Sequence, residues 1–407
     1  VTDDATPDPD TRGTPLEVAR VFSLLGLTSF GGPVAHLGYF RAELVARRRW
    51  LPDARYAELV AIGQFLPGPA SSQVGFGLGL LRAGPLGAAA AFVAFTLPSA
   101  LLMFAAALGV GALDGPVGRA VVTGLTIAAV AVVAQAVTGM ARALAPDPTR
   151  ASLAVAAAVA ALALPGPTGQ LGAIAVGLIA GLVLCRRAEE ARVDTVRFPF
   201  GRRAGAVCLA VFAALLAGLP ALAAATRSET VAVIDVFYRA GALVFGGGHV
   251  VLPLLQAGLV EPGFVGYEVF LTGYGLAQAV PGPLFTFATY LGAVADLGPG
   301  GALGAVLATL AIFAPGFLLL VGVLPFWDAL RGRRLVGAAV RGANAAVVGV
   351  LVAALYDPVF VTAITGVGPF CLALVCFVLL VVWRVPAWAV VAVGAVGGLV
   401  LSAGGGA

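Results

Sequence analysis

Long apolar runs alternate with short polar breaks from one end of the chain to the other. A helix that crosses the hydrocarbon core of a membrane needs about 20 predominantly apolar residues. Thirteen runs approach or exceed that length. Six fall in the first part (16–40, 57–82, 85–113, 119–144, 149–164 and 168–186), one stands alone at 204–226, and six fall in the last part (231–257, 268–296, 300–326, 335–356, 359–383 and 386–404). The pattern predicts an all-α polytopic membrane protein built from spanning helices together with broken or re-entrant ones.

The two parts repeat one another. Phe30-Gly31-Gly32 matches Phe245-Gly246-Gly247, and Gln64-Phe65-Leu66-Pro67-Gly68-Pro69 matches Gln278-Ala279-Val280-Pro281-Gly282-Pro283. Leu86-Gly87-Ala88 matches Leu303-Gly304-Ala305, Pro98 falls on Pro315, and Gly124 falls on Gly342. The offset runs only from 214 (Gln64 to Gln278) to 218 (Gly124 to Gly342), so insertions are almost absent between the copies. The organisation expected is a polar tail (1–15), a first repeat (16–186), a basic linker with a connecting helix (187–230) and a second repeat (231–404). Internal duplication of this kind is a common transporter architecture.

Arginine placement orients the copies, because cytoplasmic loops are enriched in basic residues. The loop 41–56 holds Arg41, Arg47, Arg48, Arg49 and Arg55, while its counterpart 258–267 holds no arginine and one acid, Glu261. Conversely, 327–334 holds Arg331, Arg333 and Arg334, and its counterpart near 114–118 holds only Asp114, with Arg119 at its edge. Equivalent loops with opposite bias predict inverted halves. Thirteen simple crossings would put the loop 41–56 outside. If the first two runs of each half instead enter and return on one side, nine crossings and four re-entrant hairpins place every basic cluster inside. The amino terminus is then cytoplasmic and the carboxyl terminus outside. Residues 1–14 are polar and acidic, unlike a signal peptide, so the first membrane segment is expected to direct insertion.

Composition narrows the class. The chain is 60% apolar and 11% charged, with a mean hydropathy of +1.02, which excludes a soluble or disordered protein. The net charge of +4 sits in loops without interleaved aromatics, so no nucleic-acid partner is expected. Cys185, Cys208, Cys371 and Cys376 have no C-x-x-C spacing and read as reduced packing residues. Two histidines and scattered acids offer no metal-ligand spacing, and neither a metal nor a cofactor is expected.

The chemistry is expected at the helix breakers. Each of the four runs assigned as re-entrant carries one at its middle: Ser29-Phe30-Gly31-Gly32-Pro33, Pro67-Gly68-Pro69, Phe245-Gly246-Gly247-Gly248 and Pro281-Gly282-Pro283. Non-helical backbone at membrane depth survives only inside protein or beside water, so the four breaks should line one cavity. The helix restarting after each P-G-P presents unpaired N–H groups and a partial positive charge, which suits an anion. Ser71, Ser72 and Thr286 add hydroxyls. Gln64 and Gln278, preceding the two motifs, either line the site or satisfy backbone groups freed by proline. A plain kink with tight packing is the bland alternative for any one break.

FGGPVAHL, FGGGHVVLP and the duplicated Q-x-x-P-G-P resemble the chromate ion transporter family, long-chain two-domain form, over roughly residues 16–404. The resemblance implies an inner-membrane protein of thirteen segments with antiparallel halves, linked to chromate efflux and resistance. Its substrate would be a tetrahedral dianion, with sulfate as a competitor. On that reading the substrate-binding positions are Gly31, Gly32, Gln64, Pro67, Gly68, Pro69, Ser71, Ser72, Gly246, Gly247, Gln278, Pro281, Gly282, Pro283 and Thr286.

Other polar residues inside the runs are expensive there and therefore informative. His36 and His249 each follow an F-G-G break and are candidates for proton coupling, or else packing histidines. Arg341 is a candidate permanent charge for a dianion, or else snorkels to the interface. Glu17, Arg20, Asp235 and Arg239 are expected at the interface, or else paired with one another, and Arg82 as a flank. The chain has no P-loop, so a secondary transporter is expected, with one half rocking against the other. Uptake of sulfate or another oxyanion is the second reading, and a membrane-embedded enzyme acting on lipid-linked phosphate the third. The expected partners are the anion and the bilayer, with self-association left open.

Overall fold

A computed structural model describes residues 13–29, 32–109, 115–164, 167–185, 201–244, 251–327 and 333–403. Among these residues the chain is helical, without strands. The first repeat contains α1 (Pro15–Thr28), α2 (Gly32–Phe40) running into a π-helical turn at Arg41–Arg47, α3 (Asp53–Phe65), α4 (Ala70–Gly109), α5 (Pro116–Leu144), α6 (Pro148–Ala163) and α7 (Pro167–Leu184). The connecting helix is α8 (Arg202–Thr226). The second repeat contains α9 (Glu229–Leu243), α10 (Val251–Leu255) running into a π-helical turn at Gln256–Val260, α11 (Tyr267–Ala279) and a 3-10 turn Leu284–Thr286 leading into α12 (Phe287–Val294). It ends with α13 (Gly301–Val323), α14 (Arg334–Ala354), α15 (Val367–Val381) and α16 (Ala387–Ala403).

Local chemistry sets many of these starts. Proline stands in the first turn of α1, α5 and α6, where its missing N–H costs nothing. Thr14 caps α1 by accepting from Glu17 N–H, Asp147 caps α6 by accepting from Arg150 N–H, and Ser228 caps α9. α4 is one helix only in name. Ala83 (φ −139°) and Gly84 (φ +67°) break it into a first limb and a longer second limb, the counterparts of α12 and α13.

Among the described residues, five helices are long and apolar enough to cross a membrane: α4, α5, α8, α13 and α14. α6, most of α7, α15 and α16 are shorter apolar helices. The protein is a multi-pass membrane protein with leucines and valines on its outside, such as Leu97, Leu101, Val306 and Leu310. α8 is peripheral, with 6% of its apolar window buried, whereas α5 has 67% of its window buried.

The four runs expected to be broken double back on themselves. About the first P-G-P turn, α3 and the first limb of α4 form an antiparallel hairpin. Leu59 would meet a Cβ on Gly77, and Ala70 and Val74 would meet one on Gly63. About the second, Tyr290 of α12 donates to the Val269 carbonyl of α11 at 3.1 Å, and Phe270 and Tyr274 stack edge-on to Phe287. α1 and α2 return likewise, since Phe22 meets both Phe40 and Trp50.

The ends of these hairpins gather in one layer. Arg82 donates to the Glu17 carboxylate (3.1 Å) and stands 5.3 Å over the Trp50 ring, so residues 17, 50 and 82 share one end. Arg82 was expected only as a flank; it ties three hairpin ends together. The second repeat does the same with backbone, Asp296 N–H donating to Phe264 O while Gly298 lies against Val233 and Glu229. Arg82→Ala should therefore cost about 1–2 kcal/mol, read as a lower thermal midpoint of the detergent-purified protein. A midpoint within a degree of wild type would contradict it.

The remaining helices are exchanged between repeats. α5 packs against α15, α16 and α11 of the second repeat, and α14 packs against α6 and α7 of the first. Both contacts are backbone-close. Gly124 meets Gly394 and Gly398, and Gly342, 218 residues later, meets Gly177 and Gly181. Small residues let membrane helices approach until dispersion contacts replace the missing hydrophobic drive.

Candidate functional site

Backbone accounting leads to the site. α1 and α9 end at matched extended residues, Ser29 (φ −85°, ψ 99°) and Val244 (φ −77°, ψ 108°), whose carbonyls are released from any helix. Each finds its donor in the other repeat. Gly68 N–H donates to Val244 O at 2.7 Å, and Gly282 N–H donates to Ser29 O at 2.9 Å. The two P-G-P turns thus cross-bond the ends of α1 and α9, each turn to the helix end of the other repeat. Both glycines have left-handed φ (+121° and +97°), which directs the N–H across the interface and which residues with a Cβ rarely adopt.

The same region is held by α4 and α13. Gly68 lies 3.0 Å, measured from an ideal Cβ, from Gly316 Cα, and Gly282 lies 2.8 Å from Ser99 Oγ on the same measure. Gln73 donates through Nε2 to Pro67 O (3.1 Å) and Gly316 O (2.9 Å), tying the first turn to α13. Satisfying backbone near proline, the role weighed for Gln64, is performed by Gln73. Gln64 itself is exposed, and Gln278 is half-buried and bonded to the buried Tyr274. Pro67 and Pro281 are half-buried, and Gly68, Pro69, Gly282 and Pro283 are buried.

The helix starts after the turns differ. α4 begins directly after Pro69, with Gln73 N–H already donating to Pro69 O, and Ser71 and Ser72 in its first turn are buried. After Pro283 the chain tightens into a 3-10 turn. Thr286 N–H donates to Pro283 O, and the Thr286 hydroxyl donates to the same carbonyl at 2.9 Å. His36 is fully buried, shares a hydrogen bond between Nδ1 and Ser71 Oγ (3.2 Å), and meets Phe95 edge-on. Gly32 (φ +80°) opens α2. Gly31, Gly246, Gly247 and His249 lie outside the described residues.

The other ionised groups lie away from the turns. Arg341 donates twice to Cys185 O (3.1 and 2.7 Å), which caps the carboxyl end of α7. Asp235 pairs with Arg239 within α9 (2.5 Å). In the loop 41–56, a hydrogen bond from Arg41 holds Asp53 below the usual carboxylate range. Burial alone would raise Glu43, but hydrogen bonds from Arg47 and Arg48 leave it lowered. Among the described residues no group of three or more His, Cys, Asp or Glu could hold a metal ion. Sequence reasoning gave no role to Gln73 or Ser99, both buried at the crossing. Gln73, a lone amide in an apolar run four residues past Pro69, carried the signal that was available.

Broken hairpins cross-bonded inside a multi-pass helical bundle define a membrane transport protein. The family model for the chromate transporter matches residues 16–185 and again 231–399. The chain belongs to the chromate transporter family. It is 32% identical to the chromate transport protein of Pseudomonas aeruginosa over 89% of this chain and 84% of that protein. It is 28% identical to the probable chromate transport protein of Synechococcus elongatus (83% of each chain) and 28% identical to the chromate transport protein of Cupriavidus metallidurans (83% of this chain, 81% of that one). No solved structure gives a significant match.

Proposed function

We propose that this chain is a secondary transporter of the plasma membrane that exports chromate, with the oxyanion held where the two P-G-P turns meet. The observation that carries the reading is the reciprocal pair of bonds, Gly68 to Val244 and Gly282 to Ser29. It joins both motifs at one place, where the first turn of α4 presents unpaired N–H groups. The relatives named as chromate transport proteins supply the substrate.

The two repeats insert in opposite senses, with a cytoplasmic amino terminus and an external carboxyl terminus. Nine helices cross: α4 through its second limb, α5 to α8 and α13 to α16. The four hairpins enter and return, α1–α2 and α3–α4 from inside, α9–α10 and α11–α12 from outside. The meeting of Glu17, Trp50 and Arg82 supports this, because simple crossings would put Trp50 on the opposite face from the other two. The internal mouth then carries Arg150 and Arg341 beside Cys185. The external mouth is a cavity of about 210 Å³ lined by Thr123, Thr126, Tyr267, Glu268, Thr362 and Thr365. An inside-negative potential favours expulsion of a dianion by ~2.3 kcal/mol per charge per 100 mV.

Radiotracer flux in inside-out vesicles tests the reading, with chromate and sulfate as separate substrates and with or without an imposed pH gradient. Wild type should accumulate chromate, and Pro67→Ala and Pro281→Ala should each lower the rate more than about tenfold, since each leaves a P-G-P turn free to straighten into helix. Unchanged flux in both variants would remove the site assignment. Sulfate accumulation without chromate accumulation would favour the second reading, an oxyanion carrier of different selectivity.

A further inference from the structure

We propose that the oxyanion seat is one-sided. Ser29, His36 and Ser72 of the first repeat, with the first turn of α4, supply its donors, while the matching positions of the second repeat form an apolar wall. The inference rests on the transport reading and names which of the two pseudo-symmetric faces does the binding.

The backbone of the crossing is nearly symmetric, but its polar side chains are not. Five buried polar atoms of the first repeat have no hydrogen-bond partner, Ser29 Oγ, His36 Nε2, Ser72 Oγ, Gln73 Oε1 and Thr96 Oγ1; six of the second repeat also lack one, but at other repeat positions, on Asp235, Arg239, Gln256, Tyr267, Thr272 and Asn344. All five first-repeat residues are less than 5% exposed. At the repeat offset, Ser29 falls on Val244, His36 on Val251, Ser71 on Phe285, Gln73 on Phe287 and Thr96 on Phe313, all apolar and at most 2% exposed. Only Ser72 meets a hydroxyl, Thr286, and that hydroxyl is already spent on Pro283 O. Buried polar groups without partners are costly and rare. Ser29, His36 and Ser72 can each donate, and only Ser72 has a polar counterpart, which favours the first-repeat face of the crossing as the place that receives an anion.

Ser29, His36 and Ser71 are linked directly, with Ser72 and Gln73 next to Ser71 in the first turn of α4. Ser29 O accepts from Gly282, and the His36 ring lies against the Ser29 backbone while its Nδ1 bonds Ser71. The ring touches Phe95, the neighbour of Thr96, and Ser99 links the Thr96 carbonyl to the surroundings of Gly282. His36 therefore bridges the second P-G-P turn to the helix that follows the first. His36 hydrogen-bonds the Ser29 backbone and Ser71, and in the tautomer in which Ser71 O–H donates to Nδ1 the neutral imidazole carries its proton on Nε2. Hydroxyls, an imidazole N–H and a helix amino terminus are neutral donors. They suit a tetrahedral oxyanion that must be released, where a fixed guanidinium would hold it. Gln73 is a positioning residue: both protons of its amide nitrogen are engaged by Pro67 O and Gly316 O, which locks the turn.

The test measures chromate and sulfate flux in vesicles, together with equilibrium binding of labelled sulfate and chromate to the purified full chain. Ser72→Ala and His36→Gln should each raise KM and Kd at least about tenfold with thermal stability retained, and Ser72→Thr should restore most of the affinity. Thr286→Val, the mirror-image change, should cost clearly less than Ser72→Ala. Equal or larger losses in Thr286→Val, or wild-type affinity in both Ser72→Ala and His36→Gln, would overturn the one-sided seat while leaving transport intact. If His36→Gln does not accumulate, Ser71→Ala reads the same bridge, with a raised KM expected. Wild type that neither carries nor binds either anion would remove the transport reading and the seat with it.

Discussion

Valine in place of Gly282 should abolish chromate transport in protein that still reaches the membrane. The φ of +97° is a genuine outlier for a β-branched residue, and a Cβ there would stand 2.8 Å from Ser99 Oγ and 3.1 Å from Ser99 Cβ. Holding the strained conformation costs about 1–3 kcal/mol. Abandoning it turns the N–H away and leaves the buried Ser29 carbonyl without its donor, another ~1–3 kcal/mol. Either way the crossing that positions the seat is lost, and an effect of that size corresponds to a flux reduction on the order of 100-fold. Gly68→Val should behave alike, because its φ is +121°, Gly316 Cα stands 3.0 Å from its Cβ position, and it serves Val244 O. Flux per unit of monodisperse protein is the measurement. Half of wild-type flux in Gly282→Val would refute the cross-bonded turn as a transport element.

The largest stability effect is expected at Gly342, far from the turns. A Cβ on Gly342 meets the Gly177 carbonyl and, at 2.5 Å, Gly181 Cα. Those atoms are backbone and cannot rotate aside, so Gly342→Leu must push α14 away from α7. Overpacking typically costs 1–3 kcal/mol, and separating two helices along a glycine seam exceeds the upper end. The expected result is loss of the monodisperse peak in gel filtration and a large drop in thermal midpoint. Gly124→Leu should do the same through Gly394 and Gly398. A midpoint within about 2 °C of wild type for either variant would mean that these helices do not approach as described.

Helix class, duplication and breaks were legible because their signals are local. A P-G-P stops a helix wherever it falls, and a 214-residue offset needs no structure to be seen. Residues 57–82 read as one run, and the chain does pass through them as two helices and a turn. Partner choice was not legible. α5 and α14 are apolar around much of their circumference and buried on most of it, so no single face announces that each belongs with the other repeat's helices. The motif also overstated the symmetry. Matched P-G-P sequences suggested two equivalent helix starts, but Leu284, Phe285 and Thr286 tighten into a 3-10 turn where Ala70, Ser71 and Ser72 start a helix. Glutamine was misplaced for a similar reason. Adjacency to the motif drew attention to Gln64, whereas one helical turn beyond it Gln73 faces back onto the bend. Arg341, weighed as a substrate charge or a snorkelling side chain, donates to the Cys185 carbonyl at the end of α7.

The exchange of α5 and α14 decides where the molecule can shear. Drawing the first repeat away from the second would strip Ile127, Val130 and Val133 from one clasp and Ala346, Val347 and Leu351 from the other, all of them at most 5% exposed. Separating the two halves as rigid bodies would therefore open both clasps. The division that leaves both clasps closed runs perpendicular to the duplication. It groups six interlocked helices, three from each copy, with α11 packed onto them through α5. Gene history and helix packing follow different boundaries in this fold.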